Sequence, residues 1–257
     1  MILLFGFQSI RICDNSRLLS IAKASERMYN RTGDEMSISV LYLDPAILVC
    51  VKPRGVSSEA GGLPERLAAE ACVGKLWCVH RLDTAVGGVM VYARGAPAAA
   101  SLSRQIAERS AQKDYLAVVS GEPPESEGVL KDLLFHDRSR NKSYVVRRPR
   151  AGVREAELDY RVLEREEGRS LLAVRLHTGR SHQIRVQFAS RGLPLLGDVK
   201  YGSTERGCPI ALWSYTLAFS HPVDGRALCF SALPERAFPW DTFEFMKQER
   251  IACDTSK

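Results

Sequence analysis

The sequence predicts an α+β fold: a central mixed, largely antiparallel sheet flanked by helices. Three observations carry that expectation. Short apolar segments of strand length outnumber helical repeats, neighbouring strand segments are joined by short turns, and the composition is that of an ordinary globular chain. Of 257 residues, 45% are hydrophobic and 26% charged, which suits one large domain or two small ones and excludes disorder, collagen-like repeats and coiled coil. No apolar run approaches the roughly 20 residues of a bilayer-spanning helix. The first residues, Ile2-Leu3-Leu4-Phe5-Gly6-Phe7 among them, lack a basic n-region and a cleavage site, so export is not expected and a cytoplasmic location is.

Taken in order, Ser39–Lys52 holds two short strands around an Asp44-Pro45 turn, the second of them (Ile47–Val51) apolar enough to be buried on both faces. Pro53-Arg54-Gly55 stops it. Pro64–Cys72 opens with proline and acid, as the first turn of a helix does. Leu76–His80 and Val89–Tyr92 are strands around a polar, hairpin-like loop, Arg81–Gly88, and Pro97–Gln112 is a helix with Leu102, Ile106 and Ala107 at helical spacing. Tyr115–Ser120 is a strand, Glu157–Val162 and Leu171–His177 form a strand pair, and Ser181–Ser190 is a helix stopped by Gly192 and Pro194. Leu212–Ser220 and Ala227–Ser231 are the last strands, around His221-Pro222 and Asp224-Gly225 turns.

The net charge of +6 has an address. Asp137–Arg154 carries seven basic residues (Arg138, Arg140, Lys142, Arg147, Arg148, Arg150, Arg154) against one acid, and the rest of the chain balances. A basic ribbon holding Tyr144 and turn formers is the footprint of a phosphate-backbone contact, and equally of a solvated loop. The seven cysteines are scattered with no C-x-x-C pair, which reads as reduced, mostly apolar fillers. The five histidines form no ligand motif, and no phosphate-cradling glycine loop occurs, so neither a metal site nor a nucleotide cofactor is expected.

Two stretches can carry chemistry. In His80-Arg81-Leu82-Asp83-Thr84-Ala85-Val86-Gly87-Gly88-Val89 an Arg-x-Asp lies between apolar strands and runs into paired glycines that permit close approach. A carboxylate emerging there calls for a guanidinium partner, unless Asp83 only caps a turn. In Leu176–Gly202, Thr178 or Ser181 can cap a helix whose opening turn holds Arg180, His182 and Gln183, with Arg185 just behind. Arg180 and Arg185 stand about 140° apart around a helix that turns about 100° per residue, so one is expected to grip Asp83 and the other a phosphate. The plainer reading is a capped surface helix that packs Ile184 and Phe188 inward.

The ordered set His80-Arg81-Leu82-Asp83, Lys113-Asp114-Tyr115 through Gly121, Thr178-Gly179-Arg180-Ser181-His182-Gln183-Ile184-Arg185 and Gly197-Asp198-Val199-Lys200-Tyr201-Gly202 resembles the RluA-type pseudouridine synthases. Leu41–Gly55 and Phe219-Ser220-His221-Pro222 are similar to that family's opening strand with its K-P-x-G turn and to its late strand and turn. The resemblance implies a pseudouridine-synthase-like domain over residues 39–240, an unmatched leader over 1–38 with Met36 a candidate start, and a tail over 241–257. It includes no S4 RNA-binding domain. It further implies an isomerase that needs no cofactor and acts on uridine in rRNA or tRNA, with Asp83 the catalytic carboxylate, Tyr115 the aromatic that holds the flipped uracil, and Arg185, or else Arg180, the basic partner. Breaking N1–C1′ leaves positive character at C1′, which a carboxylate can stabilise or capture; it can equally take a C2′ proton, and the residue types admit both routes. Arg81 is expected to fill the gap left by the flipped base or hold phosphate, and Arg180, His182, Gln183, Arg147, Arg148 and Arg150 to contact RNA as well. A monomer without membrane contact is expected. Val86 and Gly87 stand where the family has Thr and Ser, which motivates the alternative of an inactive RNA-binding or ribosome-assembly protein that keeps the fold.

Overall fold

Residues 38–248 are described by the computed structural model; the leader over residues 1–37, with Cys13 and Met36, and residues 249–257, with Cys253, lie outside them. The strands are β1 (Val40–Leu43), β2 (Ile47–Lys52), β3 (Trp77–Cys78), β4 (Gly87–Ala93), β5 (Gln112–Ser120), β6 (Glu127–Asp137), β7 (Lys142–Val146), β8 (Val153–Glu166), β9 (Arg169–Leu176), β10 (Leu212–Ser220) and β11 (Ala227–Ser231). The helices are α1 (Leu63–Glu70), α2 (Ala96–Ala107) and α3 (Gln183–Ala189). One sheet runs β1-β2-β4-β10-β5-β9-β8-β6-β7, with β11 added to β10 and β3 to β4. Every pairing is antiparallel except β4 with β10, which makes the sheet mixed and largely antiparallel, as the sequence predicts. No helix among the described residues is long and apolar enough to cross a membrane.

Core packing follows the two-residue period of a strand. On β5, Tyr115, Ala117 and Val119 pack with Ile184 and Phe188 of α3 and with Leu63 and Leu67 of α1. Leu116 and Val118 point to the other face, against Trp213, Tyr215 and Trp240. Beside that second layer, α2 lays Ala98 and Leu102 over Val49, Val89 and Val91. With apolar cover on both faces, β2, β4, β5 and β10 read as continuous apolar runs, which is why the sequence betrays them.

Where the sequence reading misplaces elements, the cause is local. The helix expected to reach Gln112 ends at Ala107, because Arg109 turns at φ 62° and β5 begins at Gln112. The strand expected over Leu76–His80 shrinks to Trp77–Cys78. Strand β6 goes unread because charges interrupt its apolar pattern; they are matched across strands and helices, Lys131 to Glu157 at 3.0 Å and Asp132 to Arg191 at 2.9 Å. Neither Thr178 nor Ser181 caps α3. Its first flanking residue is His182, at φ 54°, and Gln183 through Phe188 are buried, so α3 is not a surface helix. At the C-terminal end, the segment expected as a tail from residue 241 begins with packed residues: Phe243 and Met246 are fully buried, next to Trp240 of the domain, and Glu164 accepts from the Glu244 and Phe245 amides at 2.9 and 2.8 Å.

The paired glycines after the Asp83 loop have specific reasons. Gly88 sits at φ 123°, and a Cβ there would lie 2.2 Å from the Ser214 carbonyl oxygen. A Cβ at Gly87 would stand 2.4 Å from the Trp213 ring. Trp213 thus occupies the space that a serine would need, and Val86, 2% exposed, joins the core. The base of the loop is therefore packed by Trp213 and Val86. Gly87→Ser is expected to force Trp213 to shift and to destabilise by about 1–3 kcal/mol, as overpacking does; urea unfolding measures it, and an unchanged midpoint would refute the packing account.

Candidate active site

A cleft of about 940 Å³ opens over β5, β9 and β10, at the upper end of ordinary ligand-pocket volumes, about 300–1,000 Å³. Tyr115 and Lys113 of β5, Leu176 and Leu212 line its floor; the Arg81–Val86 loop forms one wall, and Gly179–Arg185 with His136, Asn141 and Lys200 the other. Its Lys and Arg residues are Arg81, Lys113, Arg180, Arg185 and Lys200, against the acids Asp83 and Glu59. Such an excess of positive charge in a concave site attracts a polyanion.

The Asp83 loop is tied down at several points. The Val86 amide donates to the Asp83 carbonyl at 2.9 Å, and the Gly55 amide to that of Thr84 at 2.8 Å. The Lys52 ammonium, fully buried, donates to the carbonyls of Pro53 (2.9 Å), Val56 (2.7 Å) and Thr84 (3.2 Å). Burial pushes its pKa down to about 8, against the pull of the Asp83 charge. Ser58 Oγ donates to the Leu82 carbonyl at 3.0 Å. The lysine and glycine of the K-P-x-G turn are therefore parts of the scaffold that holds Asp83.

Asp83 keeps 29% of its side chain exposed, and Arg185 Nη1 donates to its Oδ2 at 3.0 Å. The same guanidinium grips Asp198, fully buried, through Nε at 2.7 Å and Nη2 at 2.9 Å, and lies 5.0 Å from the centre of the Tyr201 ring. Burial alone would lower the Arg185 pKa, but the Asp198 and Asp83 carboxylates more than offset it and hold it above its ordinary value. His182 Nε2 approaches Asp83 Oδ2 at 3.7 Å, and His182 Nδ1 meets Tyr201 Oη at 2.8 Å. Tyr201 Oη already accepts from the Ser143 amide at 2.7 Å, so its proton goes to His182 Nδ1 and the imidazole keeps its hydrogen on Nε2, toward Asp83. Burial lowers the His182 pKa to about 4, so it stays neutral at pH 7. Asp83 Oδ1 has no partner among the described residues and is free toward the cleft.

Tyr115 lies two strands from Gly88, in register with Ser214 of the intervening β10. Burial raises its phenol well above 10; the Ser214 hydroxyl opposes that shift and the Asp83 charge reinforces it. The side chain thus presents a neutral phenol and an apolar ring at the floor.

The other expected site residues are distributed unevenly. Arg180 lies outside α3, exposed, with Nε donating to the Glu155 carbonyl at 2.8 Å. Gln183 lines the cleft but commits its amide internally, to Thr178, the Arg180 amide and the Glu157 carbonyl. Arg81 pairs with Glu59 at 3.2 Å, both well exposed; such a pair is worth about 0–1 kcal/mol and yields easily to a phosphate. Arg147, Arg148 and Arg150 are not brought to the cleft. The basic ribbon is a hairpin and a crossover: β7 pairs only with β6, and residues 147–152 pass over Phe135, with the Arg150 guanidinium 4.6 Å from its ring. His136, the next residue of β6, lines the cleft, so alternation puts the Phe135 crossover on the opposite face of the sheet. Asp198, Tyr201 and Lys113 are the residues that sequence reasoning quoted in motifs without assigning a role.

Fold and site together define a catalytic domain that offers an arginine-anchored carboxylate to a polyanion. A profile described as RNA pseudouridylate synthase matches residues 46–190. An RNA pseudouridine synthase of Aquifex aeolicus, described as uncharacterized, is 34% identical over 77% of this chain and 69% of its own length. Ribosomal large subunit pseudouridine synthase D of Xanthomonas campestris is 34% identical, over 82% of this chain and 70% of that protein. Its counterpart in Neisseria meningitidis serogroup B is 33% identical, over 82% of this chain but only 62% of that protein. The solved structure of human RNA pseudouridylate synthase domain containing 1 shares the fold, with TM-score 0.67 and 24% identity over 81% of this chain and 88% of that one. The chain belongs to the RNA pseudouridylate synthase family, isomerases that convert uridine in RNA to pseudouridine.

Proposed function

We propose that this chain isomerises a uridine in large-subunit ribosomal RNA, with Asp83 as the catalytic carboxylate, Arg185 as the group that holds it, and Tyr115 as the platform for the uracil. The observation that carries the reading is the Asp83 carboxylate: Oδ2 is fixed by Arg185 at 3.0 Å while Oδ1 is left free toward a cationic cleft. The reaction is redox-neutral. The N1–C1′ bond breaks with its electron pair going to the base, Asp83 offsets the positive character left at C1′, the uracil turns while held against Tyr115, C5 joins C1′, and the C5 proton is lost while N1 takes one up, so that atoms and charge balance. Keeping the base requires that water stay out, and the apolar floor of Leu176, Ile184 and Leu212 supports that. Arg81, exchanging Glu59 for RNA, suits the space vacated by a flipped nucleotide.

Ribosomal RNA is chosen because two of the similar proteins above are named for the large ribosomal subunit. The same reading makes the protein a cytoplasmic monomer. The Arg147, Arg148 and Arg150 crossover, on the far face, then meets RNA that wraps past the edge strand β7, while Arg138, Arg140 and Lys142 lie at the cleft end of that hairpin. Pseudouridine mapping of total RNA from cells with and without the gene tests the assignment. One or a few large-subunit sites should disappear and return on complementation; loss confined to tRNA would overturn the substrate, and no loss in any RNA the activity.

A further inference from the structure

Lys113 takes no part in the Asp83–Arg185–Asp198 network. Its side chain is only 9% exposed, lines the cleft, and has no hydrogen-bond acceptor or acidic partner among the described residues. Buried ammonium groups are ordinarily paired, because desolvation without compensation is costly; the buried Lys52 has three carbonyls. Alternation along β5 puts Lys113 on the face of Tyr115, about 7 Å from it along the strand. Nζ is 3.4 Å from where a Cβ of Gly179 would stand, so the next residue, Arg180, brings a second cation to the same end of the cleft. No salt bridge ties Arg180 to an acid among the described residues, and its Nε bond to the Glu155 carbonyl aims the rest of the guanidinium without using it. His80, at this end too, accepts from the Val91 amide and is held neutral by burial, its pKa about 4. The result is two unmatched cations and no counter-charge.

We propose that Lys113 and Arg180 form a phosphate subsite that takes a backbone phosphodiester next to the target uridine. This rests on the activity proposed above. It explains why the chain keeps a largely buried ammonium without a partner among the described residues where the side chain lines the cleft: the partner arrives with the RNA. Burial and the Arg180 charge both lower the Lys113 pKa, as they do for a cation awaiting an anion. A phosphodiester fits better than the detached uracil, because Lys113 stands beside Arg180, and two neighbouring cations suit a charged group better than a base. The contact fixes the strand's register so that one ribose, and no neighbour, meets Asp83.

The test uses the full chain and pentauridylate, unmodified or with one uncharged methylphosphonate linkage on either side of the central nucleotide, in binding titrations at several salt concentrations. Lys113→Met should weaken binding of the unmodified strand about tenfold and lower the salt slope by about 0.7. For wild type, one of the two methylphosphonates should cost about as much, whereas the Lys113→Met protein should not respond to it, since the contact is already gone. The melting temperature of Lys113→Met should equal or exceed that of wild type, because a largely buried cation without a partner among the described residues has been removed; a fall of several degrees would mark Lys113 as structural and overturn the subsite. Unchanged affinity and slope would do the same, including the case in which only turnover falls, which would assign Lys113 to the detached base. Because binding is read without turnover, absence of pseudouridine formation by wild type would count against the proposed activity and leave these titrations interpretable.

Discussion

Asp83→Asn should reduce pseudouridine formation by about 10,000-fold or more and leave RNA affinity within a few-fold of wild type. The substitution keeps the shape of the side chain and an oxygen for Arg185 Nη1 at 3.0 Å, so the loop, tied independently through Lys52, Ser58 and Gly55, has no reason to move. What is lost is the charge that can meet positive character at C1′, whether by electrostatic stabilisation, capture, or abstraction of the C2′ proton. Affinity is expected to hold or rise, because the cleft already has more cations than acids and the change removes one of the two acids facing a polyanion. Stability should change little, since Arg185 retains both bonds to Asp198. Single-turnover conversion of a target-containing RNA, with affinity measured separately, distinguishes the outcomes. Wild-type conversion by the variant would remove Asp83 from the mechanism, and loss of both binding and activity would mean that the residue organises the RNA site.

How far this site is legible in the sequence depends on whether a signal is local. The Asp83 loop announces itself by Arg-x-Asp running into paired glycines; one arginine alone, Arg185, grips Asp83 as expected, but not for the helix-angle reason, because Arg180 lies outside α3 and bonds the Glu155 carbonyl instead. What singles out Arg185 is Asp198, thirteen positions on in sequence and beyond the end of α3, a tertiary pairing that no local pattern encodes. Tyr201 and Lys113 escape for the same reason, their meaning lying in what the sheet sets beside them. Secondary structure divides similarly. Strands buried on both faces, such as β2, β4 and β10, are plain, whereas β6 is hidden by charges that pair with Glu157 of β8 and with Arg191 just beyond α3. The +6 of Asp137–Arg154 is real as composition, but a linear count cannot show that it folds as a hairpin and a crossover on opposite faces. What stands around Val86-Gly87 is likewise visible only in three dimensions, where the Trp213 ring fills the space a side chain at Gly87 would need.

Arg185 is where stability and catalysis meet, and its variants should separate the two. Arg185→Met strips the partner from Asp198, a fully buried carboxylate whose side-chain bonds among the described residues come from this guanidinium; leaving such a charge unpaired costs about 3–5 kcal/mol, and the variant is expected to melt far below wild type. Inactivity there would prove nothing about catalysis. Arg185→Lys is the informative change. An ammonium can stay with Asp198, but as a point charge on a flexible stem it cannot form the two-pronged grip on Asp198 and a third bond to Asp83 at once. The variant should therefore fold, bind RNA nearly as wild type does, and turn over about 100-fold or more slowly because Asp83 is no longer held. Combining it with Asp83→Asn should add almost nothing to the loss caused by Asp83→Asn alone, since a positioning effect has no object once the carboxylate is gone. Asp198→Asn approaches from the opposite side, keeping the Asp83 contact but loosening the anchor, and should give an intermediate loss of turnover with a measurable fall in melting temperature. If Arg185→Lys turns over at the wild-type rate, or if the double variant is slower than Asp83→Asn by the full factor of Arg185→Lys, then Arg185 does not act through Asp83 and the ion pair is scaffold only.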